Sequence, residues 1–306
     1  MKLLSYLKNP RKIIMKLGEL NVLPMTDKAF LKLKYSIEMG EKINLDNPRT
    51  FDEKLQWLKL YNRKDLYTTM VDKYEAKDYV SSIIGKEYVI PTLGVYENFD
   101  QIDFGELPNR FVIKCTHDSG GLFIVKDKKS LNIDEVRRKI EKCLKRNYYY
   151  CGREWPYKNV KPRIIIEKYM VDESGYELKD YKFFCFGGKV HYIQVDFDRF
   201  KGHKKNIYDR NWKFQNVQIN YPNSPDCNIK KPVQLKKMIE FAEKLSKDQP
   251  FLRVDFYDIK GKIYFGELTF FPGSGFMTFD PKEWNRKLGD LIELELSLKK
   301  KEINGK

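Results

Sequence analysis

Two segments of the chain have the pattern of β-hairpins, and this pattern limits the possible folds more than any other feature of the sequence. Residues 181–186 and 189–196 are largely apolar runs joined by a Gly-Gly pair, and residues 252–257 and 262–269 are joined by a turn over 258–261. Short turns of this kind join strands that pair antiparallel. Strict alternation of strands and helices is absent, so a parallel Rossmann sheet is disfavoured and the α+β class is predicted.

Helices are predicted on both sides of these hairpins. Thr50 is followed three residues later by Glu53, a capping box that predicts a helix over residues 51–61. Residues 1–40 carry leucines and isoleucines at helical spacing with basic residues between them, which indicates amphipathic helices. The other predicted helices cover residues 66–84, 133–146, 233–245 and 283–298. Short strands or extended pieces are predicted over residues 88–91 and 93–96, and further strands over residues 110–114, 122–125 and 164–169.

The charge of the chain indicates an anionic partner. Among the 306 residues, 58 are Lys or Arg and 43 are Asp or Glu, which leaves a formal charge of +15. Nucleic acid, phosphates, an acidic polysaccharide and a lipid surface all suit this sign. The chain has no helix-turn-helix, zinc-finger or RNA-recognition signature, so nucleic acid is not expected. For the basic segment 1–40, a helical cap on the body is favoured, with contact with an anionic membrane as the alternative.

The spacing of the cysteines and the hydropathy of the chain exclude several classes of protein. Five cysteines without close spacing argue against a disulfide framework and against a zinc site. No apolar run is long enough to span a membrane, and charged residues interrupt the first eight residues before a signal peptide is complete. The expected location is therefore the cytoplasm, and the length suggests about two domains.

The second hairpin carries the most informative chemistry. Side chains alternate between the two faces of a strand, so Arg253 and Asp255 share one face, and Glu267 and Thr269 share a face of the next strand. If the strands pair through their short turn, Asp255 and Glu267 lie side by side, and such a carboxylate pair suits Mg²⁺, which prefers oxygen ligands. Arg253 then stabilises a transferring phosphoryl group. The alternative is an exposed hairpin face with a surface ion pair.

A glycine-rich loop after an apolar strand has the composition of a phosphate-binding turn. Lys114 ends the strand and is followed by Ser119-Gly120-Gly121, whose glycines let the backbone approach phosphate oxygens. The segment lacks the ending of a Walker loop, and a plain turn is the alternative. His117 and Asp118 lie beside the glycines and are candidates for contact with substrate or phosphate.

A basic segment and a tight loop are candidates for contact with a substrate. Arg199 and Lys205 follow the first hairpin and are suited to hold a carboxylate or a phosphate, with a solvated basic loop as the alternative. Ser274 and Gly275 belong to a tight loop that presents backbone N–H groups to an anion. The Asp196-x-Asp198 pair has the form of a sugar-nucleotide metal site, so a glycosyltransferase is an alternative function, although no Rossmann half precedes it.

Several motifs occur together in a recognisable order. They are Arg49-Thr50-Phe51-Asp52-Glu53-Lys54-Leu55-Gln56-Trp57-Leu58-Lys59, Asp72-Lys73-Tyr74, Tyr181-Lys182-Phe183-Phe184 and Phe197-Asp198-Arg199-Phe200. With the segments above, the chain resembles the ATP-grasp superfamily, which includes D-alanine–D-alanine ligase and carboxylate–amine ligases, over about residues 70–290. It is most similar to the TupA-like branch, which is associated with teichuronopeptide and bacterial surface-polysaccharide synthesis.

The resemblance implies an α+β ATP-grasp fold, in which two α+β subdomains grip ATP, with an N-terminal helical extension. The implied extension covers residues 1–66 and is followed by a small subdomain over 67–110. ATP-grasp subdomains are implied over residues 111–170 and 171–298, of which the second contains the metal hairpin. A charged tail over residues 299–306 completes the division.

The resemblance also implies a role for each candidate residue. Lys114 contacts the α- and β-phosphates, Ser119-Gly120-Gly121 closes over them, and Asp180 binds the ribose. Lys182 faces the nucleotide, and Arg253 stabilises the phosphoryl transition state. The implied metal ligands are Asp255, Glu267 and Thr269, where Thr269 replaces the Asn that the family often has; the implied adenine contacts are the backbone groups of Glu167, Lys168, Tyr169 and Met170, with Lys73 at the adenine edge.

The activity that the resemblance implies is an ATP-dependent ligase that uses Mg²⁺. A substrate carboxylate attacks the γ-phosphate of ATP to give an acylphosphate and ADP, and an amine then displaces phosphate to form an amide. The implied partners are a uronic-acid carboxylate on a sugar nucleotide, lipid-linked unit or polysaccharide, and an amino acid or small amine. The reverse polarity is also open, a non-catalytic polyanion binder is a further alternative, and the sequence leaves the oligomeric state undetermined.

Overall fold

The computed structural model describes residues 9–298 except 173, 176, 177, 200, 201 and 228. The predicted tail over residues 299–306, the first eight residues of the predicted helical extension, and Phe200 of the last motif lie outside this described part. The described residues form helices together with antiparallel sheets of four, six and two strands. This confirms the predicted α+β class.

Helices make up the N-terminal part of the described chain: α1 (Pro10–Glu19), α2 (Asp27–Glu38), α3 (Phe51–Tyr61), α4 (Leu66–Val71) and α5 (Glu75–Ile84). The predicted capping box opens α3. The Thr50 hydroxyl accepts a hydrogen bond from the Glu53 N–H, and the Glu53 carboxylate accepts one from the Thr50 N–H. Nine of the eleven residues of α3 are buried, so this helix packs inside the protein and not on its surface.

The single helix predicted over residues 66–84 is wrong, because the chain breaks between α4 and α5. The backbone of Asp72 is extended, and its carboxylate accepts hydrogen bonds from the N–H groups of Tyr74 and Glu75, at 2.8 and 3.3 Å. The Asp72 carboxylate thus satisfies two N–H groups where α5 begins. The N–H of Lys73 donates to the Thr116 carbonyl at 3.1 Å, so the break places Lys73 against a distant segment of the chain.

The four-stranded sheet has the spatial order β1-β4-β2-β3. Its strands are β1 (Thr92–Tyr96), β2 (Phe111–Cys115), β3 (Leu122–Val125) and β4 (Ile164–Lys168); α6 (Ile133–Leu144) and the short α7 (Tyr149–Gly152) lie between β3 and β4 in the chain. Side chains of α6 and of this sheet form a separate hydrophobic core, which includes Phe111, Ile113, Val136, Ile140 and Ile164. Strand β1, which precedes the predicted boundary at residue 110, lies in the same sheet as β2, β3 and β4. The domain boundaries at residues 66, 110 and 170 stay predictions.

Both predicted hairpins lie in the six-stranded sheet, whose order is β11-β10-β5-β6-β7-β8. Strands β5 and β6 form the first hairpin, and β10 and β11 form the second. Because β10 also pairs with β5, the two hairpins become neighbours. The strands are β5 (Asp180–Phe186), β6 (Lys189–Phe197), β7 (Lys204–Asp209), β8 (Phe214–Gln215), β10 (Phe251–Ile259) and β11 (Lys262–Thr269), and a small ladder joins β9 (Gln218–Ile219) to β12 (Phe279–Asp280).

The six-stranded sheet has one apolar and one polar face. Phe183 and Val254 lie in the larger hydrophobic core, together with buried residues of α8 (Leu235–Leu245) and of the N-terminal helices. The side chains that alternate with them, including Arg253 and Asp255, point to the opposite face. The N-terminal helices therefore share one core with this sheet.

The C-terminal helix α9 covers Glu283–Asp290, and the prediction of a helix as far as residue 298 is wrong. The Lys54 ammonium donates to the carbonyls of Gly289 and Ile292, both at 2.8 Å, and these are groups that a continuing helix would use. Gly289 also packs closely on the start of α3, where a Cβ would lie 2.4 Å from the Arg49 carbonyl oxygen.

Candidate functional site

A cavity of about 160 Å³ lies between the four-stranded and the six-stranded sheet. Glu167, Lys168, Tyr169 and Met170, the predicted adenine-binding segment, form one of its sides. The other walls are largely apolar and include Ile90, Val112, Leu122, Ile124, Leu178 and Tyr257. An apolar slot beside extended backbone suits a planar aromatic ring whose edge forms hydrogen bonds.

The polar end of this cavity is organised by the carboxylate of Glu167. This buried side chain forms ion pairs with Lys114, at 2.5 Å, and with Lys77. Burial alone would raise the pKa of Glu167, but the two lysines lower it to about 2. The Lys77 ammonium also donates to the Ile90 carbonyl at 2.7 Å. Glu167 therefore orients Lys114, a function of its side chain that the sequence did not predict.

A smaller cavity of about 30 Å³ continues from Lys114 towards Glu267 and is lined by Lys73. The Lys73 ammonium donates to the Asp118 carbonyl, at the start of the glycine-rich loop. Burial lowers the pKa of Lys73, and the Glu267 carboxylate opposes this effect. The structure thus places Lys73 at the glycine-rich loop, whereas the resemblance implied the adenine edge. Gly120 in this loop has φ of +101°, a conformation that favours glycine.

Strands β10 and β11 bring the predicted metal ligands together. Asp255 lies opposite Glu267 in the register, as the alternation of side chains predicts, and opposite Lys182 on the other neighbouring strand. The Arg253 guanidinium binds Asp255 twice, at 2.7 Å, and reaches Glu267 at 2.5 Å and the Thr269 hydroxyl at 3.0 Å. The Lys182 ammonium binds Asp255 at 2.6 Å. These five side chains form one charged surface on the polar face.

The electrostatics of this surface suit a divalent cation and phosphate. The Glu267 side chain is 48% exposed. Desolvation would raise its pKa, but Arg253, Lys182 and Lys73 lower it to about 2. Its carboxylate and those around it offer only oxygen donors, which fit Mg²⁺. Within the described ranges, no group of three or more His, Cys, Asp or Glu side chains that could hold a metal ion is found.

Two buried carboxylates, Asp180 and Asp196, face each other across β5 and β6. The Arg199 guanidinium binds both of them, and it lies 3.2 Å from Asp196. Gln194 and His203 also bond to Asp196, at 2.6 and 3.2 Å. Asp196 thus has three side-chain partners, and a metal site at Asp196-x-Asp198 stays a prediction.

Lys205 lies on β7 opposite Asp196, which in turn lies opposite Asp180, so these three residues are neighbours across β5, β6 and β7. The Lys205 ammonium lies 4.5 Å from the centre of the Tyr221 ring. Burial lowers the pKa of Lys205 to about 8, while Asp196 opposes the fall. Lys205 and Arg199 thus lie beside the charged surface, where the sequence predicted contact with a substrate anion.

His117 and Asp118 do not face the cavities. The His117 Nε2 atom lies 3.2 and 3.1 Å from the carbonyl oxygens of Cys143 and Arg146, at the end of α6. The Asp118 carboxylate binds the Arg146 guanidinium at 3.2 Å and the Cys143 thiol. Both side chains are buried. They hold the glycine-rich loop against α6, and the contact of these side chains with substrate stays a prediction.

The loop with Ser274 and Gly275 also differs from the prediction. The Ser274 N–H donates to the Phe271 carbonyl at 2.8 Å, so it is not free for an anion. Instead the carbonyl groups of the loop are bound: Gln56 donates to Gly275 at 2.6 Å, and Lys59 donates to Ser274 at 2.8 Å. The buried polar residues of α3 therefore hold this loop.

Three residues near the charged surface were missed by the sequence reasoning. The ring centres of Tyr148 and Tyr157 lie 5.0 Å apart, and Glu154 is buried beside Gly152. Tyr157 lies within the electrostatic influence of Glu267 and Arg253. Their signal in the sequence is the dense aromatic and charged run over residues 148–157.

Two antiparallel sheets that enclose a cleft, with lysines and a glycine-rich loop on one side and paired carboxylates on the other, define the ATP-grasp class of nucleotide-binding proteins. The sequence model of the family described as TupA-like ATPgrasp matches residues 53–293. The chain therefore belongs to the TupA-like ATP-grasp family, as the resemblance implied.

Solved structures similar to the chain include D-alanine–D-alanine ligases. The ligase from Helicobacter pylori is 15% identical, covers 79% of this chain and 69% of its own, and has a TM-score of 0.41. The ligase from Bacillus anthracis is 18% identical, covers 84% and 73%, and has a TM-score of 0.44. A RimK domain ATP-grasp protein from Sphaerobacter thermophilus is 12% identical, covers 76% and 70%, and has a TM-score of 0.41. No curated protein matches the chain.

Proposed function

We propose that this protein is an ATP-dependent carboxylate–amine ligase that forms an amide through an acylphosphate. The observation that carries the proposal is the charged surface of Lys182, Arg253, Asp255, Glu267 and Thr269, which faces the cleft beside Lys114 and Lys73. Such a surface combines oxygen donors for a cation with cations for phosphoryl oxygens. The family of the chain agrees with this chemistry.

ATP would bind along the cleft from the larger cavity to the charged surface. The apolar slot and the backbone of residues 167–170 hold the adenine, and Asp180 receives the ribose. Lys114, Lys73 and the glycine-rich loop neutralise the phosphates, and the ion pair with Glu167 fixes the position of Lys114. In this proposal the protein acts mainly by positioning and neutralising the reacting groups.

The oxygen donors of Asp255, Glu267 and Thr269 would hold Mg²⁺. Bound there, the cation neutralises charge on the transferring phosphoryl group. Arg253 stabilises the same charge from the protein side, and Lys182 faces the nucleotide and orients Asp255 through their 2.6 Å contact. Thr269 offers a hydroxyl oxygen where the family often has an amide oxygen, which favours a second metal site that is weaker or built partly by water.

Arg199 and Lys205 are proposed to hold the carboxylate substrate. The substrate class that we favour is a uronic acid of a bacterial surface polysaccharide or its precursor, joined to an amino acid or small amine. The 58 basic residues against 43 acidic ones support an acidic substrate, and the choice of a sugar rests on the resemblance of the chain to the TupA-like branch. The reverse polarity, an amino-acid carboxylate joined to an amino sugar, uses the same residues.

The test is a matrix of uronic acids and amino acids against amines, with release of ADP as the measurement and calorimetric binding of Mg·AMP-PNP as an independent one. The ligase is expected to release ADP and phosphate only when an acid and an amine are both present. Release of a nucleoside diphosphate from a sugar donor would instead indicate the glycosyltransferase. Failure to bind nucleotide, with salt-dependent binding of polyanions, would indicate the polyanion binder.

We further propose a peripheral contact with an anionic membrane. Six large apolar side chains between residues 13 and 23 are exposed: Ile13, Ile14, Leu17, Leu20, Val22 and Leu23. Arg11, Lys12 and Lys16 lie among or beside them in the sequence. An apolar stripe with basic flanks binds anionic lipid surfaces. Within the described residues, no helix has the length and hydrophobicity needed to cross a bilayer.

Sedimentation with vesicles tests this contact. The protein is expected to bind phosphatidylglycerol–phosphatidylcholine vesicles and not pure phosphatidylcholine vesicles, and an Ile14→Asp, Leu17→Asp variant should lose the binding. Val233→Asp is the control, because Val233 is also exposed but lies far along the chain in a different surface. Equal sedimentation of the double variant and the wild type would contradict the proposal.

A further inference from the structure

A cavity of about 320 Å³ lies between the first two helices and the loop that follows them, and it shares no lining residue with the two cavities of the cleft. Of the described residues that line it, three are cations and none is an acid. They are Arg11 from α1, Lys32, Leu33 and Ser36 from α2, and Lys42 and Ile43 from the loop. We call this cavity the α1–α2 pocket, and its charge suits an anion.

Arg11 is held in place at this pocket by a serine. Its guanidinium donates a hydrogen bond to the Ser36 hydroxyl at 2.7 Å, and that hydroxyl donates to the Leu33 carbonyl at 2.8 Å. A guanidinium carries several N–H groups in a planar fork that matches phosphate oxygens. Within the described residues, the bond to Ser36 is the one hydrogen bond of the Arg11 guanidinium. Its other N–H groups are therefore available to a phosphate, at a position that Ser36 sets.

Lys32 and Lys42 bring two further charges to the pocket without a neutralising partner. Both residues are exposed, and in the part of the chain that the structure describes neither of them forms an ion pair. Other lysines on the same two helices differ, because Lys16 and Lys34 both pair with Glu19, at 3.0 and 2.7 Å. Like charges that share a pocket repel one another. An anion bound between them would be stabilised by all the cations of the pocket.

The surroundings of the pocket favour a phosphate at a lipid surface over a phosphate in solution. Ile14 lies three residues after Arg11, so the two are neighbours on the surface of α1, and Ile14 is 41% exposed. Leu17, three residues further along, is also exposed. Inside the pocket, Leu33 and Ile43 supply apolar side chains. Cations beside exposed apolar side chains match the level of a membrane at which lipid phosphates lie above the acyl chains.

We propose that the α1–α2 pocket binds the phosphate group of an anionic lipid such as phosphatidylglycerol, while the exposed apolar side chains of α1 enter the lipid layer. Arg11 binds the phosphate oxygens through its N–H groups, and Lys32 and Lys42 neutralise the charge. This inference rests on the proposed membrane contact and deepens it by assigning a site for the lipid phosphate. It does not depend on the ligase chemistry. Binding should thus depend on where the positive charges lie and not only on their number.

A pair of matched double variants provides the first test. Lys32→Gln, Lys42→Gln should lower the partition coefficient on phosphatidylglycerol–phosphatidylcholine vesicles, measured by sedimentation, about tenfold or more. Lys231→Gln, Lys236→Gln is the control, because it makes the same change of net charge with exposed lysines that line a separate cavity beside α8. The control should lower the coefficient less than about twofold. Equal losses in the two double variants would show attraction to net charge alone and would overturn the pocket.

The second test changes the position of Arg11 without changing the charge. Ser36→Ala removes the hydroxyl that holds the guanidinium and should weaken vesicle binding about threefold, since one hydrogen bond is lost. Ser36→Thr keeps a hydroxyl and should bind like the wild type. If Ser36→Ala binds vesicles as tightly as Ser36→Thr, the hydrogen bond does not position Arg11 for a phosphate, and the proposed site is wrong.

Soluble anions distinguish the source of the phosphate. Glycerol 1-phosphate, inorganic phosphate and polygalacturonate are titrated by calorimetry into the full chain and into Lys32→Gln, Lys42→Gln. If either phosphate binds the wild type and not the variant, while both proteins sediment equally with vesicles, the ligand is a soluble phosphate and the lipid site is overturned. The same pattern with polygalacturonate would identify an acidic polymer as the ligand and would also overturn it.

The proposals fail in different ways. If the wild type does not sediment with phosphatidylglycerol vesicles, both the membrane contact and the lipid site are wrong. If it does, and the Lys32→Gln, Lys42→Gln variant sediments like its control, the membrane contact stands and the lipid site is wrong. ADP release without vesicles should be equal in the wild type and both double variants, and equal urea midpoints show that the variants are folded. Failure of the wild type to release ADP would contradict only the ligase function.

Discussion

Replacing Glu167 with glutamine removes the charge that holds two lysines at the polar end of the larger cavity. The side chain is 7% exposed, and it pairs with Lys114 and Lys77. Glutamine has nearly the same shape, so the change leaves the packing intact and removes only the charge. Lys77, whose side chain is 11% exposed, then has the Ile90 carbonyl as its hydrogen-bond acceptor and no opposite charge from Glu167.

The magnitude follows from the pKa of Glu167. Burial would raise it, but Lys114 and Lys77 lower it from 4.5 to about 2. At about 1.4 kcal/mol for each pKa unit, this favours the native state by about 3 kcal/mol at neutral pH. Burial lowers the pKa of Lys77 even though Glu167 raises it. Keeping Lys77 charged therefore opposes folding, and the free energy derived from Glu167 is the upper figure for Glu167, Lys77 and Lys114 together.

Urea unfolding of the wild type and of Glu167→Gln measures the difference. Because the folded pKa lies below the unfolded value, the stabilisation is fully present above pH 4.5 and is lost as the pH falls towards 2. The double variant Lys77→Met, Glu167→Gln should be more stable than Glu167→Gln alone, since it no longer buries an unpaired ammonium. Glu243→Gln, in a more exposed pair, should cost less than about 1 kcal/mol.

Two results would refute this reasoning. One is a variant as stable as the wild type at neutral pH. The other is a difference that persists unchanged at the acidic end of the range, where Glu167 of the wild type is also neutral.

Three further predictions concern activity. Glu267→Gln should abolish ADP release while the urea midpoint stays close to that of the wild type, because it removes a proposed cation ligand that is half exposed; full activity with an unchanged Mg²⁺ requirement would contradict this. Lys114→Ala should weaken calorimetric binding of Mg·AMP-PNP by about tenfold or more, since a charged hydrogen bond is lost, and an unchanged affinity would show that Lys114 does not contact phosphate. The pKa of Lys205 is about 8, so the KM for the acid substrate should rise as the pH increases through 8 and the ammonium loses its charge. Lys205→Arg should keep a flat profile over that range, and a wild-type KM independent of pH would exclude Lys205 from the acid site.

Local patterns predicted much of the fold. The two hairpins, the capping box at Thr50 and the side-by-side placement of Asp255 and Glu267 depend on residues that are close in the sequence. For such features, alternation along a strand and the chemistry of a turn decide the geometry. The position of Lys114 at the end of its strand also followed from the local pattern, and the structure places it at the polar end of the cavity.

Other features depend on contacts between distant residues. The break at Asp72 accompanies a hydrogen bond from Lys73 to Thr116, and α9 ends where Lys54 donates hydrogen bonds to the carbonyls of Gly289 and Ile292. The helical pattern across residues 66–84 and 283–298 contains no sign of these partners. The side chains of His117 and Asp118 turn towards α6 for the same reason, because their partners lie some 25 to 29 residues away.

The sequence alone therefore determined the class of fold, the antiparallel hairpins and the charged residues of β10 and β11, because each is encoded within a few residues. Only the tertiary structure decided which of those charges meet. It put β10 next to β5, which brings Lys182 to Asp255, and it brought Lys59 to Ser274. Residues so far apart in the chain become neighbours only when the sheets and helices pack, and the free energy of that packing belongs to the whole core.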